Sequence, residues 1–138
     1  MADTFLPENI ALIIGGISIE GFADGTDVVM IERDEDVWTK KVGVDGLIGR
    51  SKKGNQTGTC TIKLMANSPS NPLLSAMDAA DQATGGGVVP FLLKSGSEVV
   101  ASEHCWIQKP PSVGLGDEFP TREWVIAIGQ INAYLGGY

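Results

Sequence analysis

The side chains that could carry out acid–base or nucleophilic chemistry are few and lie far apart in the chain. There is one histidine, His104, and there are two cysteines, Cys60 and Cys105. On a strand, His104 and Cys105 point to opposite faces, so they cannot form a local nucleophile–base pair. One histidine with two scattered cysteines is also a poor ligand supply for zinc. The sequence therefore predicts no enzyme activity and no bound metal or cofactor, and it predicts that both cysteines are buried free thiols.

Two further patterns that resemble ligand sites fail on their spacing. The acidic turn at residues 34–36 would need an oxygen ligand at the position of Trp38 to form a calcium loop. The glycine-rich basic segment that follows lacks the GxxxxGK[ST] pattern, and neither Lys52 nor Lys53 is followed by the required hydroxyl residue and helix. We therefore expect neither a calcium site nor a phosphate-binding loop.

The length and composition indicate one folded domain spanning residues 1–138. Hydrophobic residues make up 43% of the chain and charged residues 20%, which is ordinary for a globular protein. The formal net charge of −7 argues against duplex DNA binding through phosphate neutralisation, which requires a basic face. No apolar run approaches the ~18 residues of a membrane span, and the N-terminus has no secretion-signal pattern, so we expect no membrane association.

The elements that position these residues are mainly strands. Eighteen glycines and seven prolines punctuate the chain as in antiparallel β proteins. Residues 57–66 alternate with period two, with Cys60, Ile62, Leu64 and Ala66 on one face and Thr57, Thr59, Thr61 and Lys63 on the other. In the last strand, at 121–135, both phases of the first half are apolar, which predicts burial on both sides. The predicted strands lie within 9–22, 28–32, 37–42, 57–66, 88–94, 98–108 and 121–135.

One helix of about twelve residues is predicted after the period-two strand. Asn71 is the expected N-cap, and Pro72 suits the first helical position, where no amide hydrogen is needed. The glycines at 85–87 end the helix. The expected buried stripe, at i, i+3, i+4 and i+7, consists of Leu73, Ala76, Met77 and Ala80. The fold class is therefore mainly β (α+β), an antiparallel β-sandwich or half-barrel with one flanking helix.

Charge is distributed unevenly along the chain. Residues 40–53 hold five bases and one acid, whereas residues 20–36 hold seven acids and one arginine. Glycines spaced through the basic segment disfavour a helix, so we expect an extended loop at about 41–56. It is either an exposed hairpin that only aids solubility, or an arm that docks on an acidic patch of another copy. The expected contact residues are Lys41, Val44, Leu47, Ile48, Arg50, Lys52 and Lys53.

The order of these patterns resembles the tail tube proteins of contractile-tailed bacteriophages, which share their fold with the haemolysin-coregulated protein of type VI secretion. The matching stretches are Val29–Glu32 running through to Val42–Gly46, then Gly58–Leu64, then Ser68–Ala76. No single motif is specific, but the order and spacing of the motifs together are. The likeness covers about residues 9–134.

The resemblance implies a structural protein whose hexameric rings stack into the inner tube of a phage tail, the conduit for genome ejection. It implies contacts with the tail sheath protein, the baseplate hub and the tail terminator, and passage of the tape measure protein and DNA without specific binding. It places the protein in the virion tail, assembled in the cytoplasm of the host bacterium. The loop at 41–56 would reach a neighbouring subunit, and a negative lumen would repel DNA phosphate. The candidate lumen residues are Thr57, Thr59, Thr61 and Lys63.

Three other functions stay open at this point. The first is a tube or carrier ring of type VI secretion or another contractile injection system. The second is a monomeric ligand-binding β-barrel. This function predicts an apolar pocket and no charged loop that binds another subunit. An enzyme is the most distant possibility, because the residues for catalysis are missing. Self-assembly separates these functions, since a tube protein polymerises, a carrier ring stops at discrete rings and a ligand binder stays monomeric.

Overall fold

The computed structural model of the protein describes residues 10–23, 28–52, 54–95, 98–116 and 120–135. One large antiparallel sheet, one helix and a separate two-stranded hairpin make up these parts. The helix is α1 (Ser70–Thr84). The strands are β1 (Ile10–Ile14), β2 (Ile17–Ser18), β3 (Val29–Arg33), β4 (Trp38–Val42), β5 (Ile48–Lys52), β6 (Gly58–Met65), β7 (Val89–Ser95), β8 (Glu98–Lys109), β9 (Thr121–Ile128) and β10 (Asn132–Tyr134).

The large sheet has the order β2-β1-β7-β8-β9-β6-β3, with β10 also paired to β8. The sheet curves so that its end strand β3 approaches β7, since Val29 and Ile31 of β3 line the same cleft as Leu93 of β7. The sheet is therefore a half-barrel, and the predicted mainly-β α+β fold with one flanking helix is confirmed. The core inside the curve includes Leu12, Cys60, Ile62, Leu64, Phe91, Trp124 and Ile126.

Strand β6 lies in the middle of this fold and follows the predicted alternation. Gly58, Cys60, Ile62 and Leu64 are buried, while the residues between them are half-buried on the outer face. Ala66 lies in the turn after the strand and is only half-buried. Gly58 has no space for a side chain, because a Cβ there would meet the Ile131 side chain and the Glu32 carbonyl oxygen.

The helix buries a different face from the predicted one. Ser70 and Leu74 are buried, and the predicted stripe residues Leu73, Ala76 and Ala80 are exposed. Met77, the fourth residue of the predicted stripe, is half-buried and packs against the core. The reason is a tertiary contact, since the Trp124 Nε1–H donates to Asn71 Oδ1 at 3.0 Å and thereby turns Asn71 toward the sheet.

The ends of the helix also differ from each other in how well the sequence predicts them. Pro69, not Asn71, occupies the N-cap, and no side chain caps the helix there. The predicted end is correct: Gly85 adopts the left-handed conformation at φ 72°, and its amide donates to the Asp81 carbonyl oxygen at 2.7 Å.

The last predicted strand is divided into two. A bend at Gly129 and Gln130 separates β9 from β10 and changes the phase of the side chains, so that Ile131 is buried in the core. The outer-face residues of β9 are not fully buried in the single chain, because Val125 and Ala127 are half-exposed and Glu123 is exposed. The expectation of burial on both sides of this strand is therefore wrong for an isolated chain.

Candidate subunit-contact surfaces

The segment expected to be an extended loop, for which an exposed hairpin was one of the two interpretations, is mostly a β-hairpin. Trp38 pairs with Lys52 and Val42 with Ile48, so β4 and β5 form a two-stranded sheet of their own. The connecting turn has a Gly46 amide that donates to the Gly43 carbonyl oxygen at 3.0 Å, and Gly46 has a φ of 86° that favours glycine. All residues of both strands are exposed. We call residues 38–52 the hairpin arm, and Val44 and Leu47 its tip.

The two faces of the hairpin arm differ chemically. Residues directly opposite each other in an antiparallel pair share a face. The register therefore places three apolar and three cationic side chains together on one face, namely Trp38, Lys40, Val42, Ile48, Arg50 and Lys52. The Arg50 guanidinium carbon lies 4.1 Å from the centroid of the Trp38 ring, a cation–π contact. The other face carries Thr39, Lys41, Gly49 and Ser51.

The structure separates the predicted contact residues into three places. Ile48, Arg50 and Lys52 lie on the apolar–cationic face, and Lys41 lies on the opposite one. Val44 and Leu47 form the tip. Lys53 lies outside the described residues. The predicted contact residues did not include Trp38, Lys40 and Val42, which share the apolar–cationic face. The strand predicted at 37–42 could have identified them, because alternate residues of a strand lie on one face.

Hydrogen bonds fix the base of the hairpin arm to the large sheet. The Thr57 hydroxyl lies 2.6 Å from Asp34 Oδ2, and the Thr59 hydroxyl donates to Asp34 Oδ1 at 3.2 Å. The Asp34 amide donates to the Thr57 carbonyl oxygen at 3.1 Å, and the Thr57 amide donates to Asn55 Oδ1 at 3.0 Å. These bonds join Asp34, which lies before the arm, to Thr57 and Thr59, which lie after it.

The outer face of the sheet carries the candidate lumen residues. Thr59, Thr61 and Lys63 are half-buried on the outer face of β6, and Thr57, also half-buried, directly precedes that strand. Lys63 lies directly opposite Glu123 of β9, so an acid accompanies its positive charge. Thr59 lies opposite Glu32 of β3. The four residues therefore lie on the outer side of the sheet rather than in the core, and the direct outer-face neighbours of Thr61 are Met30 and Val125.

The two cysteines have an environment that suppresses thiol chemistry. Cys60 and Cys105 are both fully buried and are not joined by a disulfide. Burial raises the pKa of each thiol to about 12, and the neighbouring Cys105 adds to the effect on the pKa of Cys60. His104 is exposed on the other side of β8. Among the residues with described positions, no group of three or more His, Cys, Asp or Glu side chains is placed to hold a metal ion.

A cleft of about 190 Å³ opens where β3, at one end of the curved sheet, faces β7, β8 and β10. Aliphatic side chains dominate its walls, and Arg33 and Glu98 are the charged residues that line it. The apolar wall residues are Val29, Ile31, Leu93, Val100, Ile131, Ala133 and Leu135. Sequence reasoning did not predict this cleft. Separately, in the described ranges no helix has the length and apolar character needed to cross a membrane.

Comparison with known proteins identifies relatives across nearly the whole chain. The chain is 28% identical over 144 residues to the structural protein ORF10 of Pseudomonas phage KPP10, covering 97% of this chain and 83% of that protein. Its fold is similar to the anti-feeding prophage tube-terminating cap, with a TM-score of 0.68 at 9% identity over 99% of this chain and 94% of the other. It is also similar to a chain of the PVC extracellular contractile injection system sheath–tube complex, with a TM-score of 0.65 at 10% identity over 95% and 91%.

The most direct assignment comes from the family comparison. Residues 10–136 match the family model described as the bacteriophage PhiTE tail tube protein. The match includes the hairpin arm, β6, the helix and the two strands on either side of the bend at Gly129. The chain therefore belongs to this family of phage tail tube proteins.

Proposed function

We propose that this chain is the repeating subunit of a phage tail tube, in which hexameric rings stack into a hollow conduit for genome ejection. The observation that carries the proposal is the hairpin arm, a fully exposed apolar and cationic element on a chain of the tail tube family. A monomer gains nothing from exposing such a surface, whereas a subunit that buries it against a neighbour gains apolar burial. The extended inter-subunit element is thus the hairpin together with residues up to about 56.

The charge distribution supports contact between identical copies. The hairpin arm has four bases and one acid, while residues 32–36, just before it, contain four acids and Arg33. Opposite charges on one chain can be satisfied head to tail by the next copy, and such heterologous contacts generate closed rings or open filaments. The contact residues we propose are Lys41, Val44, Leu47, Ile48, Arg50, Lys52 and Lys53, together with Trp38, Lys40 and Val42.

The outer face of the sheet is the proposed lumen wall. Thr57, Thr59, Thr61 and Lys63 would face the channel. The positive charge of Lys63 does not make this wall attractive to DNA as a whole, because Glu123 lies opposite it and Glu32 lies opposite Thr59. A wall with few unpaired cations allows phosphate to slide past without specific binding.

The proposed partners are the proteins that a subunit of a phage tail tube would contact. We propose contacts with the sheath protein, the baseplate hub and the tail terminator, with tape measure protein and DNA passing through the lumen. Assembly would occur in the host bacterial cytoplasm and the product would reside in the virion tail. The chain would act without catalysis and without a cofactor.

Negative-stain electron microscopy of the purified protein over a concentration series tests this proposal. Hollow tubes or stacked rings of uniform diameter are the expected result. Discrete rings that never stack would instead indicate a carrier ring of another contractile injection system. Monomers at all concentrations, even after addition of preformed tail baseplates as nuclei, would contradict the proposal and favour a monomeric binding domain that uses the cleft.

A further inference from the structure

Two apolar features of this structure face solvent and complement each other. The tip of the hairpin arm exposes Val44 by 112% and Leu47 by 73% relative to a free residue. The cleft between β3 and the strands β7, β8 and β10 is apolar and open. We propose that the tip of one copy inserts into the cleft of a second copy. This inference rests on the proposed function and gives the arm a defined receptor.

The cleft has the right size for the tip. A cavity of roughly 150 Å³ lined by aliphatic and aromatic side chains can hold a benzene molecule. The cleft, at about 190 Å³, therefore has space for a leucine side chain together with part of a valine. Its walls at Ile31, Leu93 and Val100 are aliphatic, so they match the tip in polarity as well.

The tip is ordered before it docks. The Gly43 amide donates to the Leu47 carbonyl oxygen at 2.8 Å, and the Leu47 amide donates to Asp45 Oδ1 at 3.3 Å. These bonds close the turn and hold Val44 and Leu47 outward. A preorganised protrusion loses less conformational entropy on binding than a flexible loop does.

The two features also differ in charge. Glu98 is the acidic residue that lines the cleft. The arm behind the tip carries Lys40, Lys41, Arg50 and Lys52. Arg33 is the one cation that lines the cleft, and its Nη2 lies 3.5 Å from the Ile131 carbonyl oxygen. Glu98 is therefore the carboxylate that the cations of an incoming arm would meet once its apolar tip is seated.

In this structure the tip does not occupy the cleft of its own chain, because the tip residues are exposed and do not line the cleft. Each copy therefore offers one tip and one cleft. A contact of this kind is heterologous, and it propagates from copy to copy until a ring closes or a filament grows.

Disulfide trapping between two different chains tests the inference. Leu47→Cys is introduced at the tip of a chain that carries an added tag, and Leu135→Cys is introduced at the cleft of an untagged chain. The tag makes the two chains distinguishable by size. Both positions are exposed, and the native cysteines are fully buried, so they do not compete for the oxidant. After mixing and mild oxidation, we expect a cross-linked heterodimer whose size lies between those of the tagged and the untagged homodimer.

The matched control replaces Leu135→Cys by Leu73→Cys, an exposed leucine on α1 that is not part of the cleft. We expect at least ~10-fold more heterodimer with the cleft cysteine, because docking raises the effective concentration of the two thiols. Equal yields with both acceptors would overturn the inference. Ala133→Cys, a second cleft position, should cross-link as Leu135→Cys does.

Electron microscopy of the same samples separates this inference from the proposed function. Tubes without preferential tip–cleft cross-links would leave the tail tube function standing and refute the cleft as the receptor. Preferential cross-links without tubes or rings would support the cleft as the receptor and contradict the tube.

Discussion

The Arg50 guanidinium carbon lies 4.1 Å from the centroid of the Trp38 ring, across the two strands of the hairpin arm. This contact joins the start of β4 to the middle of β5 on the apolar–cationic face. A two-stranded hairpin alone in water is marginally stable, so the contact contributes to keeping the arm formed. The arm is therefore a preformed contact surface.

Charge reversal on this face should prevent assembly without unfolding the protein. In the double variant Lys40→Glu, Lys52→Glu, both changes lie on exposed strand residues that contact no core side chain. We expect the concentration needed for assembly to rise by about tenfold or more, equivalent to ~1.4 kcal/mol or more of lost contact energy. Sedimentation and electron microscopy measure assembly, and circular dichroism checks the fold. The control Lys94→Glu, Lys109→Glu changes the net charge equally outside the arm, and equal loss of assembly in the control would refute a specific role for the arm.

Salt should weaken assembly if the charged contacts contribute strongly. Raising ionic strength from about 0.1 M to about 1 M shortens the screening length from ~10 Å to ~3 Å. We expect the assembled fraction, measured by light scattering, to fall over this range. Assembly that does not change with salt would mean that the apolar residues Val44, Leu47 and Ile48 dominate the contact.

The buried face of the helix is testable with two neighbouring leucines. Leu74 is fully buried and Leu73 is 49% exposed. Leu74→Ala should lower the free energy of unfolding by about 2–5 kcal/mol, because it leaves a cavity in the core. Leu73→Ala should cost less than about 1 kcal/mol. Urea unfolding followed by tryptophan fluorescence measures both, and the reverse order would mean that the helix buries the other stripe.

The buried thiols should make stability depend on pH in the alkaline range. Burial raises the pKa of Cys60 and of Cys105 from 9.0 to about 12. The unfolded chain therefore loses these protons at lower pH than the folded chain does, so the stabilising contribution is complete below pH 9 and declines as pH rises toward 12. We expect the midpoint of urea unfolding to decrease above pH 9, and to decrease less in Cys60→Ala, Cys105→Ala. An unchanged pH slope in that variant would contradict the assignment.

The sequence predicted the elements whose structure depends mainly on residues that lie close together in the chain. The alternation from Thr57 to Leu64 predicted β6, because a strand with one buried face requires period two. The glycines at 85–87 predicted the end of α1, since a left-handed residue ends a helix readily only where a side chain is absent. The rotation of α1 was not predictable in this way, because it depends on the hydrogen bond between Asn71 and Trp124 across 53 positions.

The contact surfaces also divide into features that the local sequence predicts and features that depend on the tertiary fold. The uneven charge of residues 40–53 left two interpretations, a hairpin that only aids solubility and a docking arm, and the structure has an exposed hairpin there. Strand β5 was missed because neither of its faces is buried, so no period-two signal of burial exists. The cleft was missed because its walls come from distant segments, including β3, β7 and β10, which only the curvature of the sheet brings together.

Cryo-electron microscopy of assembled tubes tests the central claim most directly. The account predicts a map in which the hairpin arm of each subunit contacts a neighbouring copy and the outer face of β6, with Thr59, Thr61 and Lys63, lines the lumen. A map in which the arm extends into solvent, or in which this face of the sheet points away from the channel, would contradict the account.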